Sequence, residues 1–384
     1  MSIFQKTLKE IIENKKRLDS NKVNCIPFEW SRFRNYIPGI MKGTNWIITA
    51  PSGVGKSQLS KYLFMYSPYK WIKKNPEKGI SLKVMYFALE ESKKEFMYTM
   101  ISNKLYEEEG IQIDVLTLQS FFQGEKKLSD EIIEKIKTYE EYFEDLESNL
   151  DVIDTISNPT GIYKYIKNYA SENGVHYYYN FKNDKQKKNE LTEKEFKELK
   201  NKENWAYSKY EANNPDEYVI CILDHVSLLN TEKGAETLHS AMTMMSAEYG
   251  RKRITKHFNY VFVMVQQQSA ESEKKQYTTM GEAIEEKLEP SLNGLADNKL
   301  TQRDQHVVLG LFAPDRYKIS SYKVGGTYYN VNILKDNFRV LFVLKNRIGK
   351  PNARLPLFFN GAINNFEEAP KIISSKDYDK FIKK

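Results

Sequence analysis

Residues 38–66 read PGIMKGTNWIITAPSGVGKSQLSKYLFMY. A Pro/Gly turn leads into the apolar run Trp46–Thr49, which predicts a strand. Ala50-Pro-Ser-Gly-Val-Gly-Lys-Ser57 follows, and Gln58–Tyr66 continues as a helix. The loop matches G-x-x-x-x-G-K-[ST], with Ala50 standing at the first glycine. Chemistry requires that order. Backbone N–H groups of Pro51-Ser52-Gly53-Val54-Gly55, wherever a donor exists, close around a phosphate, and the helix starting near Lys56 adds the positive end of its dipole. Lys56 reaches the outer phosphates, the Ser57 hydroxyl ligates Mg²⁺, and Gln58 completes the contact set. Ala50 replaces glycine without strain if the backbone there keeps a negative φ. The motif predicts a nucleotide site with ATP and Mg²⁺ as cofactors.

Outward from this loop, four further segments carry chemistry. YVICILDH places an apolar strand, Tyr218–Leu223, directly before Asp224. Any buried strand can end in Asp, but beside a phosphate loop this carboxylate suits the Mg²⁺ shell opposite Ser57. FALEES sets Glu90 at the end of the strand Lys83–Ala88, where it would polarise an attacking water; two acidic residues opening a helix are the bland alternative. VFVMVQQQ ends a strand in Gln266, Gln267 and Gln268, amides able to sense a γ-phosphate or simply to start a polar loop. LKNRIGK holds Arg347 between Lys345 and a glycine, suited to an arginine finger or to a surface turn. Arg316, in APDRYK, is read equally as a cover for the adenine ring and as a turn residue.

The chain has 384 residues, 40% hydrophobic and 13% aromatic, enough for a sizeable core, and its 28% charged residues argue against global disorder. Two cysteines, Cys25 and Cys221, exclude a disulfide framework, and no Cys/His spacing suits zinc. The N-terminus lacks a signal-peptide core, and no apolar run reaches a membrane-spanning length, so a soluble cytoplasmic protein is expected. The net charge of +7 suits a polyanion. Only ten residues are arginine, none of them between Arg34 and Arg251, which makes each one worth tracking.

Strands alternating with helices before a strand-rich end predict an α/β fold with a mostly parallel sheet. Residues 2–18 have amphipathic helical spacing, 129–148 an acidic helical run, and 161–172 and 236–254 further helices. Late strands are expected at 306–312, 327–334, 340–344 and 355–359. The division expected is a linker helix and turn over 1–35, one ATPase domain over 36–370, and a basic tail over 371–384. Residues 175–215, rich in Lys, Glu, Asn and Tyr, read as a surface insertion or hairpin with a helical tip. Tyr177–Tyr179 beside Lys182 form a hairpin's aromatic face or, alternatively, stack on bases. His225 is expected to orient Asp224.

Taken together, PGIMKGTNWIITAPSGVGKS, FALEES, ILDHVSLL, VMVQQQ and LKNRIGK resemble the DnaB-like replicative helicases, ring-forming ATPases with a RecA-type core. They fall in that family's order, and LEES and LDHVSLL are similar to its phage-type members. The resemblance implies a RecA-like sheet, Glu90 as catalytic base, Asp224 as Mg²⁺-shell acid and Gln267 as γ-phosphate sensor. It implies Lys345 and Arg347 reaching into a neighbour's site within a hexameric ring on single-stranded DNA, with a primase or loader as possible partners. The segment before Tyr36 is too short for the family's primase-binding domain. In the family's DNA-binding loop position, 269–303, Lys274 and Lys275 are basic among several Glu, and Asn293 and Gly294 offer backbone N–H groups to phosphates. Other RecA-type ATPases (a recombinase or a KaiC-like regulator) and a nucleotide-switched scaffold are the competing readings.

Overall fold

The computed structural model describes residues 2–121, 124, 127–269, 271, 287–371 and 378. Short strands β1 (Ile26–Pro27) and β2 (Gly39–Ile40) pair antiparallel ahead of β3 (Asn45–Ala50). The chain continues through β4 (Ser81–Ala88) and β5 (Leu150–Ile153). It then forms a separate three-stranded sheet from β6 (Gly174–Asn180), β7 (Leu191–Thr192) and β8 (Trp205–Ala212). β9 (Glu217–Asp224), β10 (Val261–Gln267) and β11 (Val307–Phe312) follow. A hairpin of β12 (Ser321–Val324) and β13 (Thr327–Asn330) precedes β14 (Phe338–Asn346), β15 (Arg354–Asn360) and β16 (Asn365–Glu368).

The main sheet has the order β16-β15-β14-β11-β3-β10-β9-β4-β5. From β11 to β5 all neighbours are parallel, and β14, β15 and β16 extend the other edge antiparallel. Unbroken apolar runs such as VICIL suit parallel strands covered on both faces by helices. In β9, Ile220 and Ile222 enter one apolar cluster, and Val219, Cys221 and Leu223 enter the other. Every residue of β3 is buried. Each such Ile, Leu or Val contributes about 1.5–3 kcal/mol of burial, so the central strands are the most rigid part of the molecule. Because they are parallel, their carboxyl ends share one edge of the sheet, and that edge carries the site.

Several expectations shift. Ile26, Phe28, Trp30 and Phe33 are buried in the main apolar cluster, so the domain takes in much of the segment read as linker. The helix Ile3–Asp19 has no buried residue, and Ile3, Phe4 and Ile11 are exposed. Its base is tied by Arg17 to Asp216 at 2.6 Å. The strand expected at 327–334 ends at Asn330, whose side chain accepts the Ile333 N–H at 3.3 Å and caps a short helical turn, Val331–Leu334. The acidic run is two helices, Asp130–Lys137 and Glu140–Asn149, followed by edge strand β5, which the sequence reading lacked.

The insertion forms the small antiparallel sheet with a helix, Glu193–Glu198, near its tip. Its base is not detached. Tyr207 stacks on His257 at 4.3 Å between centroids, and Tyr210 meets Phe258 at 5.7 Å. Tyr177 and Tyr179 lie on the other side of β6, each covered by a lysine: Lys209 at 4.8 Å and Lys187 at 4.7 Å. Among the described residues no helix is long and apolar enough to cross a membrane.

Candidate functional site

The phosphate loop begins where β3 ends. Ala50 is the last residue of that strand and does not have a positive φ, which is why glycine is unnecessary there. Gly55 has a φ of +107°, and a Cβ on it would lie 3.2 Å from the Phe359 ring. Both conformation and space therefore demand glycine. Lys56 opens a continuous helical segment running to Lys74, with wide π-type turns over Tyr62–Tyr66. Lys56, Ser57, Gln58, Glu90, Asp224 and Phe359 line a cavity of about 510 Å³, which also takes in Ser52, Gly53 and Gly55. Two arginines grip the loop from outside. Arg316 Nη1 donates to the Ser52 carbonyl at 2.6 Å, against the loop backbone. Arg339, 1% exposed, donates from Nε to the Val54 carbonyl at 2.8 Å and lies 4.7 Å from the Phe359 ring centroid.

Strand register brings the remaining groups to the same edge. Ala88 pairs with Asp224 and Ala50 with Gln267, so the ends of β4, β9, β10 and β3 stand side by side. Ser57 Oγ donates to Asp224 Oδ1 at 3.1 Å. Burial pushes the Asp224 carboxyl up to about 6, opposed by Lys61, Ser57 and Tyr86. A hydroxyl beside a carboxylate is a donor set for a hard cation. No cluster of three His, Cys, Asp or Glu side chains suited to a metal occurs among the described residues. A cation held here would therefore complete its shell with phosphate oxygens and water.

The two glutamates separate. Glu90 is 58% exposed at its side chain, lines the cavity and has Oε2 3.8 Å from His225 Nε2. Glu91 is already committed, to Lys61 at 2.8 and 3.1 Å and to the Tyr86 hydroxyl at 2.6 Å. Glu90 is thus the carboxylate left to meet a water. His225, expected to orient Asp224, faces Glu90 instead, because Asp224 is satisfied by Ser57 and Tyr86. Burial lowers the His225 pKa, with Lys56 lowering it further and Glu90 opposing.

Alternation along β10 sorts the three glutamines. Gln266 is buried and donates to the carbonyls of Ala296 and Asn298 at 2.7 and 2.9 Å. Gln268 is buried and donates to Thr49 Oγ1 at 2.9 Å. Gln267 lies between them, half-buried, with no side-chain hydrogen bond among the described residues. The flanking pair anchors the 291–301 segment to the sheet and leaves the middle amide available.

Two expectations change in that segment. The Gly294 N–H is spent on Ser291, with the side chain at 3.1 Å and the carbonyl at 3.2 Å, and Gly294 itself is buried. A Cβ there would collide with the Gln268 amide, so the glycine serves packing and offers no free N–H to phosphate. Asn293 is exposed. Lys274 and Lys275 lie outside the described residues.

Lys345 and Arg347 are not brought to this cavity. β14 runs antiparallel to β11, so Asn346 pairs with Val307, which pairs in turn with Trp46 at the start of β3. The Arg347 N–H donates to the His306 carbonyl at 2.8 Å, and its side chain is exposed at the edge opposite the phosphate loop. Lys345 Nζ donates to the Gln302 carbonyl within its own chain. Four residues of β3 separate that level from Ala50, about 13 Å at the usual strand rise.

The sequence reading missed Lys61, Tyr86 and Arg339. Scarcity of arginine could have flagged Arg339. Nothing local marks Tyr86, which reads as one more apolar strand residue.

No family model matches the chain, and no curated protein matches it. Solved structures do. One is the ATPase domain of a DnaB-like helicase, with a TM-score of 0.62 and 16% identity, covering 96% of this chain and 100% of that one. A second is described as a DnaB-like replicative helicase with its interactions with primase. Its TM-score is 0.60 at 16% identity, covering 95% of this chain and 66% of that one. At that identity the likeness concerns the fold. The chain therefore has the RecA-type fold of a DnaB-like helicase ATPase domain.

Proposed function

We propose that the protein is an ATP-dependent replicative helicase motor that works as a ring on single-stranded DNA and hydrolyses ATP between subunits. The observation that carries this reading is the division of one site over two edges. Lys56, Ser57, Asp224, Glu90 and Gln267 gather at the carboxyl edge of the sheet, and Arg347 stands exposed at the opposite edge. A head-to-tail contact between two copies would bring the edges together, and heterologous contacts of that kind close into rings. The exposed apolar helix Ile3–Asp19 supplies a surface for the same contact.

Within such a site the loop backbone and Lys56 bind the phosphates, and Ser57 and Asp224 hold the cation shell. Mg²⁺, when bound, neutralises charge across the outer phosphates. Glu90 orients and deprotonates the water, Gln267 senses the γ-phosphate, and a neighbour's Arg347 stabilises charge on the transferring group. The net charge of +7 suits the DNA backbone, with Asn293 and the segment containing Lys274 and Lys275 as the contact region. A primase or loader would be a further partner.

ATPase measured with and without single-stranded DNA, alongside mass by light scattering, tests the reading. Stimulated turnover by a multi-subunit species is expected, with DNA binding that weakens steeply as salt rises. Nucleotide binding with negligible turnover, unaffected by DNA, would favour a nucleotide-switched scaffold. DNA-independent turnover would favour a RecA-type ATPase of another kind.

A further inference from the structure

Behind the proposed cation position lies a buried polar chain that the phosphate chemistry does not use. Tyr86, on β4, is 1% exposed, and its ring packs on Phe96 at 5.5 Å. Its hydroxyl lies 2.6 Å from Glu91 Oε1 and 3.0 Å from Asp224 Oδ2. Lys61, one turn beyond Ser57 on the phosphate-loop helix, is 4% exposed at its side chain and holds both Glu91 oxygens. Its ammonium sits 5.7 Å from the Phe96 ring centroid and 5.9 Å from that of Tyr86. The chain thus runs Lys61, Glu91, Tyr86, Asp224, Ser57.

We propose that Tyr86 is a positioning residue for the cation shell. Its hydroxyl holds the Asp224 carboxylate turned toward Ser57 and couples it to the Lys61–Glu91 pair. A phenol has one proton to donate, and here two carboxylate oxygens lie within reach of it. Glu91 is satisfied by Lys61 through two contacts, so it does not depend on that proton. Asp224 Oδ2 has no donor besides Tyr86 among the described residues, while Oδ1 faces the Ser57 hydroxyl. Giving the proton to Oδ2 fixes the carboxylate plane and leaves Oδ1 directed at the cavity. The charges agree with this arrangement. Lys61 answers Glu91 and leaves the Asp224 charge for a cation beside Ser57. Groups that orient a metal ligand typically govern affinity by about 10–100-fold. Without the hydroxyl, a buried carboxylate oxygen would lack its donor, and the side chain would be free to turn from Ser57.

The inference rests on the nucleotide and Mg²⁺ reading of this site, and the experiment separates the two. Tyr86→Phe keeps the buried ring and removes only the oxygen. The full-length wild-type and variant proteins are titrated with a fluorescent ADP analogue in EDTA, then with Mg²⁺ at saturating analogue, and melted in parallel. The expected result is a rise of about tenfold in the Mg²⁺ concentration for half-saturation, with Mg²⁺-free nucleotide affinity within about twofold of wild type. An unchanged Mg²⁺ half-saturation overturns the assignment. So does a loss in which both affinities and the melting temperature fall together, since that describes a damaged core. A wild-type protein that binds no nucleotide would overturn the site reading itself.

Discussion

Arg347→Ala should abolish turnover while leaving ATP affinity intact, and the lost activity should return in mixed rings. The structural reason is distance. Arg347 follows β14, whose Asn346 is level with Trp46, and the phosphate loop begins four residues farther along β3. That separation is about 13 Å along the strand before the loop is counted, farther than an arginine side chain extends from its backbone. The exposed guanidinium therefore cannot serve its own cavity. Loss of an arginine finger costs about 10³-fold or more in turnover, and because the fork acts on charge that develops in the transition state, ground-state binding is spared. In a ring each interface takes Lys56 from one subunit and Arg347 from the next. Random mixing of Arg347→Ala with Lys56→Ala in equal amounts gives both intact groups at about one interface in four. Steady-state ATPase of the mixture, with mixed assembly verified by light scattering on tagged chains, should approach about a quarter of wild type if interfaces act independently. Mixed rings as inactive as their parents would refute the trans assignment, as would normal turnover by Arg347→Ala alone.

Arg339→Met strips a buried donor from the Val54 carbonyl and should cost about 2 kcal/mol in urea melts. It should also weaken nucleotide binding, and an unaltered nucleotide affinity would show that the loop holds its shape without the guanidinium. Replacing residues 182–203 with a short turn should leave melting and ATPase nearly unchanged, because the tip touches little beyond its own sheet. Deleting 178–213 instead removes Tyr207 and Tyr210 from His257 and Phe258 and should lower stability by about 3 kcal/mol or more. Equal effects from the two deletions would contradict that picture. His257, buried against Tyr207, has its imidazole pKa pushed down to about 4 by burial, aided by Arg253 and Lys256. A depressed pKa favours the folded state above the free value of about 6.5 and loses that advantage as pH falls toward 4. Thermal stability should therefore decline across that window, and less so in His257→Asn.

The parts of this protein legible in the sequence are those specified by short contiguous stretches. An apolar run, a glycine-rich turn and Lys56-Ser57 state a strand, a phosphate cradle and a helix within twenty residues, because turn chemistry and hydrophobic periodicity act locally. Runs such as VICILD and VFVMVQ likewise announce strands buried on both faces. Their order along the chain carries the family resemblance, and the matching folds agree with it. Pairing across the sheet is a different kind of information. That Gln267 stands level with Ala50, that the base of the insertion packs on His257 and Phe258, and that Ile26–Phe33 belongs to the core all depend on register and packing between distant segments. Gly294 looked free because a hydrogen bond to Ser291 leaves no mark in composition. Glu90 and Glu91 are adjacent and chemically identical. Only tertiary contact with Lys61 and Tyr86 sets them apart, since a side chain's charge is chosen by its sequence and its partner is chosen by the fold.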